Sequence, residues 1–274
     1  MSNRTATFTV TDRVATITLD HPPANLLTHR AVQELAEIFE ELEKNKSVRC
    51  VILTGKGRFF CAGADIHELA EINTARDGKT FAEQGQRLMN RIERSERPVI
   101  AAINGTCVGG GLELAMACHI RLAAEDSMLG LPEIKLGLIP GFGGTQRLPR
   151  IIGFARAAEM ILTGELMTAR RMLDWGLLHH VIPAAELPSE SQRMASGLAT
   201  FGSLAVQSAL HAIHASRDHS MSEGMAYESS LFGQLCETAD KKDAVQSYLE
   251  HRHQKMKNPD SKTPLKRAAT GDRR

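Results

Sequence analysis

The sequence has no excess of charge: 33 Lys and Arg stand against 32 Asp and Glu, a formal net charge of +1. Without a global field of either sign, neither nucleic acid nor an acidic membrane face is drawn to the chain as a whole, and an anionic ligand must be met by a local patch. No tract is compositionally biased, and the apolar runs are broken by Gly, Arg or Glu before they reach a membrane-spanning length. Residues 1–10 carry no apolar signal core. The five cysteines, Cys50, Cys61, Cys107, Cys118 and Cys236, are odd in number and include no C-x-x-C pair. This argues for buried thiols in a reducing compartment, so the expected location is cytoplasmic, with no membrane partner. Asn3-Arg4-Thr5, Asn45-Lys46-Ser47 and Asn104-Gly105-Thr106 fit the glycosylation triplet but, without a secretion route, are chance matches.

With 274 residues, 42% of them hydrophobic, the chain can bury one large core or a core with a small appendage. Thr5 to Val10 and Val14 to Leu19 alternate β-branched and polar residues around Thr11-Asp12-Arg13, which predicts an N-terminal hairpin. Thr28 is placed to cap a helix with apolar positions Val32, Leu35, Ile38, Phe39 and Leu42, followed by an apolar strand from Val48 to Leu53. The alternation returns with a helix over Phe81 to Ile92, a strand over Val99 to Ile103, a helix from Gly110 to Cys118 and a strand over Ile120 to Ala124. This is α/β organisation, filling most of residues 1–200. Three helical segments follow at about 203–217, 221–238 and 240–254, apolar enough to predict packing on the main body or another subunit. From Pro259 to Arg274 the chain is polar and basic and is expected to be disordered.

The segment from Pro98 to Ala115 ends a strand, turns through Gly109-Gly110-Gly111 and starts a helix, whose first N–H groups lack internal partners. Such a turn can hold an anion or an oxyanion; a glycine turn needed for packing alone is equally consistent. No Lys-Ser/Thr pair follows Gly105 or Gly109, and neither Gly55-Lys56-Gly57 nor Gly141-Phe142-Gly143 completes G-x-G-x-x-G, which argues against a nucleotide loop. A serine esterase would need a G-x-S-x-G elbow, and there is none. Glu113 falls in the first turn of the predicted helix and Glu133 follows in Leu131-Pro132-Glu133, both in apolar surroundings. A buried carboxylate requires a partner or a proton. One reading is a helix-end charge and an exposed turn acid; the other is a pair in one site, divided into acid and base as water addition requires.

Four segments carry a family resemblance: Phe60-Cys61-Ala62-Gly63-Ala64-Asp65-Ile66, Gly109-Gly110-Gly111-Leu112-Glu113-Leu114-Ala115, Leu131-Pro132-Glu133, and the run from Gly137 through Gly141-Phe142-Gly143-Gly144-Thr145-Gln146-Arg147 to Leu148. In this order they make residues 5 to 256 similar to the enoyl-CoA hydratase/isomerase, or crotonase, family. The resemblance implies a crotonase-like spiral of ββα turns over residues 1–200 and a C-terminal helical region, 201–258, that mediates trimerisation into homotrimers or homohexamers. No repeat is visible residue by residue, so the spiral rests on the resemblance. It also implies an oxyanion hole formed by the N–H groups of Ala64 and Gly110 around a thioester carbonyl. In the family, the residue matching Glu113 helps activate water and the one matching Glu133 delivers a proton to C2; the residues alone leave these roles unassigned. Members that only hydrolyse or isomerise often lack one acid, so the expected reaction is reversible syn hydration of trans-2-enoyl-CoA to 3-hydroxyacyl-CoA. Ala62, Ile66, Gly109 and Gly141 are expected to contact the substrate, with Arg58 a candidate for its phosphates. The acyl-CoA is the expected partner, and coenzyme A, being part of it, leaves no separate cofactor to expect. The chain departs from the family pattern at His119, where many members have Asp, and at Met256, where an aromatic is common.

Enoyl-CoA isomerisation and hydration of a branched, methylglutaconyl-type substrate are the alternative reactions. Acyl length depends on loops such as Ile72 to Phe81, and fatty-acid oxidation, branched amino-acid breakdown and a polyester-precursor route would all supply substrate. RNA binding ranks lower, because Arg87, Arg91, Arg94 and Arg97 alternate with Glu93 and Glu96 and read as a solvated helix face. No metal site is expected: His67-Glu68-Leu69-Ala70-Glu71 misses H-E-x-x-H at its fifth residue, and His211, His214 and Asp218 read as a polar helix face.

Overall fold

The N-terminal alternation closes as a hairpin of β1 (Ala6–Thr11) and β2 (Val14–Leu19), with Asp12 and Arg13 at φ 49° and 68° supplying the two positive angles of a tight turn. The computed structural model describes residues 4–257. The basic tail from Pro259 lies outside the described residues, and so does the Met256 side chain. Helix α1 (His29–Lys44) begins where expected: the Thr28 side chain accepts the Ala31 N–H, and Leu35, Ile38, Phe39 and Leu42 are buried. β3 (Cys50–Gly55) starts two residues after the apolar run does, because pairing with β2 begins at Cys50.

Three turns of one pattern follow. β3 leads to β4 (Phe59–Cys61) and helices α2 (Ile66–Ala70) and α3 (Ala75–Glu93); β5 (Val99–Ile103) leads to β6 (Thr106–Val108) and α4 (Gly110–Ala117). β7 (Ile120–Ala124) leads to β8 (Met128–Gly130), a 3₁₀ turn at Glu133–Leu136, and helices α5 (Gly144–Ile152) and α6 (Phe154–Thr163). β9 (Met167–Thr168), α7 (Ala169–Asp174), β10 (His180–Ile182) and α8 (Leu187–Leu198) complete this part. The first strand of each turn joins a six-stranded sheet, β1-β2-β3-β5-β7-β10, parallel beyond the hairpin; the second joins a four-stranded sheet, β4-β6-β8-β9, parallel except for β9. This is the expected ββα spiral, repeated in space without repeating in sequence.

Both faces of the large sheet are covered, which explains why β5 is apolar throughout and β3 is apolar from Cys50 to Leu53. Val51, Leu53, Val99, Ala101 and Ile103 enter the main core with α1 and α3, while Cys50, Ile52, Ile100 and Ala102 meet Leu187 and Ala195 of α8. α3 starts six residues earlier than its apolar spacing suggests: Thr74 caps it by accepting the Asp77 N–H, and its first turn is polar and carries no apolar signal.

The chain falls into two compact units divided between Ala199 and Thr200. The second contains α9 (Ser203–Asp218), α10 (Met221–Cys236) and α11 (Ala239–Lys257), with a capping box of Ser220 and Glu223 opening α10. No residue of α9 or α10 is buried, and Ile213, Met221 and Phe232 are exposed. Among the described residues no helix is long and apolar enough to cross a membrane.

Candidate active site

Parallel neighbours end on the same side, so the segments leaving β4, β6 and β8 meet. Ala62-Gly63-Ala64, Gly109-Gly110 and Pro132-Glu133 line one cavity of about 590 Å³, at the carboxyl ends of parallel strands where open sheets commonly bind ligands. Gly109 makes the turn possible. Its φ of 54° and ψ of −131° suit glycine, and a Cβ there would lie 3.0 Å from Glu133 Oε1 and 3.7 Å from the Gly63 Cα. The Gly109 N–H is tied to the Gly130 carbonyl at 2.9 Å, and the Gly109 carbonyl accepts from Leu112 and Glu113, which starts α4. The Gly110 N–H precedes these first intrahelical bonds and has no partner within the helix. On the facing segment, Leu27 bridges to Ala64 by donating to the Gly63 carbonyl at 2.8 Å, leaving the Ala64 N–H outside that bond. The two segments are in van der Waals reach: a Cβ on Gly63 would sit 3.6 Å from the Gly110 nitrogen.

Glu113, on the first turn of α4, is 1% exposed. Its Oε1 accepts two backbone bonds, from Phe142 N–H at 2.8 Å and Gly144 N–H at 2.6 Å. Burial pushes the carboxyl up to about 8; the Gly144 N–H opposes this, the nearby Glu133 charge adds to it, and the Phe142 N–H and Arg147 oppose it. Glu133 opens the 3₁₀ turn at the end of the β8 segment, half-buried, and burial raises its pKa as well. Its Oε2 is buried without a hydrogen-bond partner. Both carboxyls line the cavity, so neither is the exposed turn acid or bare helix-end charge of the alternative reading.

Ala62, Ala64, Ile66, Gly109, Gly110 and Gly141 all line the same cavity. Ile66 is 62% exposed, and the Gly141 carbonyl accepts from Gln86 Nε2 at 2.8 Å. Arg58 is not among the lining residues; it is exposed, with its guanidinium 5.0 Å from the centre of the Phe59 ring. Three residues of the Gly137–Leu148 motif matter more than the sequence suggested. Phe142 and Gly144 anchor Glu113, and Arg147, 8% exposed, donates to the Phe142 carbonyl, Asn90 Oδ1 and Glu93 Oε2. Their only sequence signal was membership of the glycine-rich motif.

The expected solvated face holds at Arg87, Arg94 and Glu96, which are exposed, and needs correcting at Glu93, Arg91 and Arg97. Glu93 turns inward to Arg147, Arg97 is half-buried and donates to the carbonyls of Leu42, Glu43 and Asn45 at the end of α1, and Arg91 forms a bidentate pair with Glu43. The reason is that α3 packs beside α1, so these partly covered side chains meet carbonyls and carboxylates as well as water. His119 bridges the same region: its Nδ1 accepts the Val99 N–H at 2.9 Å, and its Nε2 lies 3.2 Å from the Glu93 carbonyl. Among the described residues no three His, Cys, Asp or Glu side chains are grouped to hold a metal ion.

Residues 9–259 match the family model described as enoyl-CoA hydratase/isomerase. The chain is 43% identical to a probable enoyl-CoA hydratase of Bacillus subtilis over 245 residues, covering 89% of this chain and 95% of that one. It is 38% identical to a short-chain-enoyl-CoA hydratase of Clostridium acetobutylicum over 242 residues, 88% and 92% of the two chains. The crystal structure of an enoyl-CoA hydratase from Bacillus anthracis superposes with a TM-score of 0.87 at 36% identity, covering 90% of this chain and 96% of that one.

Proposed function

Because the chain belongs to the enoyl-CoA hydratase/isomerase family, we propose that it adds water reversibly, and syn, across the double bond of a trans-2-enoyl-CoA to give the 3-hydroxyacyl-CoA. The observation that carries this is the meeting of two carboxyls, both pushed up by burial, with two backbone amides in one apolar cavity. The Ala64 and Gly110 N–H groups receive the thioester oxygen, which gains negative charge as the enolate forms, so donors fixed beforehand favour the transition state over the substrate. Water lies between Glu113 and Glu133. The Glu113 carboxylate takes one proton from it as the hydroxyl adds to C3, and Glu133 gives its proton to C2 on the same face; the proton gained by Glu113 then passes to Glu133, so the elements of one water are added and the pair is restored. The two N–H bonds on Glu113 Oε1 support a charged form there, and the unpartnered Glu133 Oε2 is better suited to keep the proton. With Glu133 neutral, its repulsion on Glu113 vanishes and Glu113 ionises more easily. Exposed Ile66 and Ile139 on the lining offer apolar contact to the acyl or pantetheine chain.

The test is loss of the conjugated-thioester absorbance with short trans-2-enoyl-CoA. Glu113→Gln and Glu133→Gln should each lower the rate at least about a hundredfold; full activity in either refutes the two-acid mechanism. Conversion of a 3-enoyl-CoA to the 2-enoyl isomer without hydration would favour the isomerase instead. The unpaired, largely buried cysteines support a reducing, cytoplasmic setting, and the exposed apolar residues of α9 and α10 support assembly into trimers or hexamers, which a monomeric mass by light scattering would contradict.

A further inference from the structure

We propose that Arg147 is a positioning residue of the reaction: by holding the Phe142 carbonyl it keeps the Phe142 and Gly144 N–H groups aimed at one oxygen of Glu113 and leaves the other oxygen for water. The inference rests on the two-acid hydration reading and deepens it.

Three consecutive peptide units make the case. The unit ending at the Phe142 nitrogen and the unit ending at the Gly144 nitrogen both donate to Glu113 Oε1. The unit between them carries the Phe142 carbonyl, which accepts from Arg147 Nη1 at 3.1 Å. Rotation of that middle unit would swing at least one donor away from Glu113, and Arg147 is the side chain that restrains it. Gly143, in the centre, has φ 110°, and a Cβ there would collide with Nη1 of the same guanidinium, so the loop and the arginine occupy complementary space.

Arg147 is itself held from α3. Nε and Nη2 both donate to Glu93 Oε2, at 3.1 and 2.8 Å, and Nη2 also donates to Asn90 Oδ1 at 2.7 Å. A planar fork with fixed donors suits this arrangement; a lysine ammonium could keep the charge but not all of these bonds. The charged groups that bear on Glu113 are Glu133, from the segment after β8, and Arg147, from α5; Arg147 is countered by Glu93 of α3. The positive charge of Arg147 therefore favours ionised Glu113, and Glu93 offsets part of that influence.

The opposed signs give a decisive experiment. In substrate-free enzyme labelled with carboxyl-¹³C glutamate, the Glu113 resonance is assigned by its loss in Glu113→Gln and titrated in wild type, Arg147→Met, Arg147→Lys and Glu93→Gln. Arg147→Met should raise the Glu113 midpoint, and Glu93→Gln should lower it, each by roughly half a pH unit or more. Arg147→Lys keeps the charge but loosens the two N–H donors, so it should raise the midpoint less than Arg147→Met does while losing about tenfold or more in kcat, with KM changed less. A merely structural role would move the two neutralising variants in the same direction or leave both unmoved, and either result overturns the proposal. If Arg147→Met does not fold, Glu93→Gln and Arg147→Lys still decide it: an unmoved or raised midpoint in the first, or unchanged kcat in the second, is fatal. Because the titration needs no turnover, failure here with an inactive Glu113→Gln leaves the hydration reading standing, whereas an active Glu113→Gln removes that reading whatever the midpoints do.

Discussion

Replacing Glu113 with glutamine should remove much of the fall in stability that the wild-type protein shows as pH rises. In the folded protein this carboxyl is raised from its ordinary 4.5 to about 8, with burial the largest cause. Unfolded chain ionises near the ordinary value, so between 4.5 and about 8 the folded state binds more protons than the unfolded state. Stability therefore falls as pH rises through that window and levels off above it. At about 1.4 kcal/mol per pH unit the ceiling is about 5 kcal/mol, lowered to the extent that Glu133 takes over the remaining proton. A glutamine at 113 cannot titrate, yet its carbonyl can still accept the Phe142 and Gly144 N–H groups. The assay is urea unfolding of both proteins at pH 5, 7 and 9, at one fixed protein concentration because assembly would contribute. The advantage of Glu113→Gln over wild type should grow by several kcal/mol from pH 5 to pH 9. Parallel stability curves for the two proteins would refute the account of Glu113 as a carboxyl whose pKa burial raises in the folded protein.

Glu113 must be ionised to take a proton from water and its carboxyl is raised to about 8, so kcat/KM for a trans-2-enoyl-CoA is expected to rise with pH as that value is approached; a flat profile from about pH 6 to pH 8 would contradict it. Gly144→Ala brings a Cβ to 2.9 Å from Glu113 Oε1 and 2.8 Å from the Pro140 Cβ, and should lower kcat about tenfold or more while costing about 1–3 kcal/mol of stability, checked by kinetics and thermal unfolding. Thr28→Ala removes the acceptor for the Ala31 N–H and should cost about 1 kcal/mol with activity retained per folded enzyme. Burial pushes the Cys50, Cys61 and Cys118 thiols up to about 12 and Cys107 well above its usual range, so native protein should expose only Cys236 to a disulfide reagent, with all five reacting in denaturant.

What was legible in the sequence depended on length and on local chemistry. β5 showed itself through five consecutive apolar residues, α1 through its cap and its helical spacing, and α9 through uninterrupted helical character. β4, β6 and β8 were invisible because three residues are too few for an alternation to stand out, yet the site stands on their ends. Ala64, Gly110, Glu113 and Glu133 could be named because their motifs are distinctive. The bonds that arrange them could not: Gly144 reaches Glu113 across 31 positions, and Arg147 reaches Glu93 across 54. Glu93 shows the limit plainly, since charge on a helix reads as surface until another element is known to pack over it.

The short parallel strands also act as a ruler. Hydrogen-bonded neighbours lie about 4.8 Å apart whatever side chains they carry, so the separation of the backbone segments that follow β4 and β6 is set by peptide geometry. Side-chain exchange at Ala62 or Val108 can reshape the cavity wall while leaving that spacing alone. Adding or removing one residue between Phe59 and Gly63, or between Thr106 and Gly109, would instead shift a whole amide along its strand and reverse the direction in which it points. The protein should therefore tolerate many substitutions along these edges but almost no change in their length.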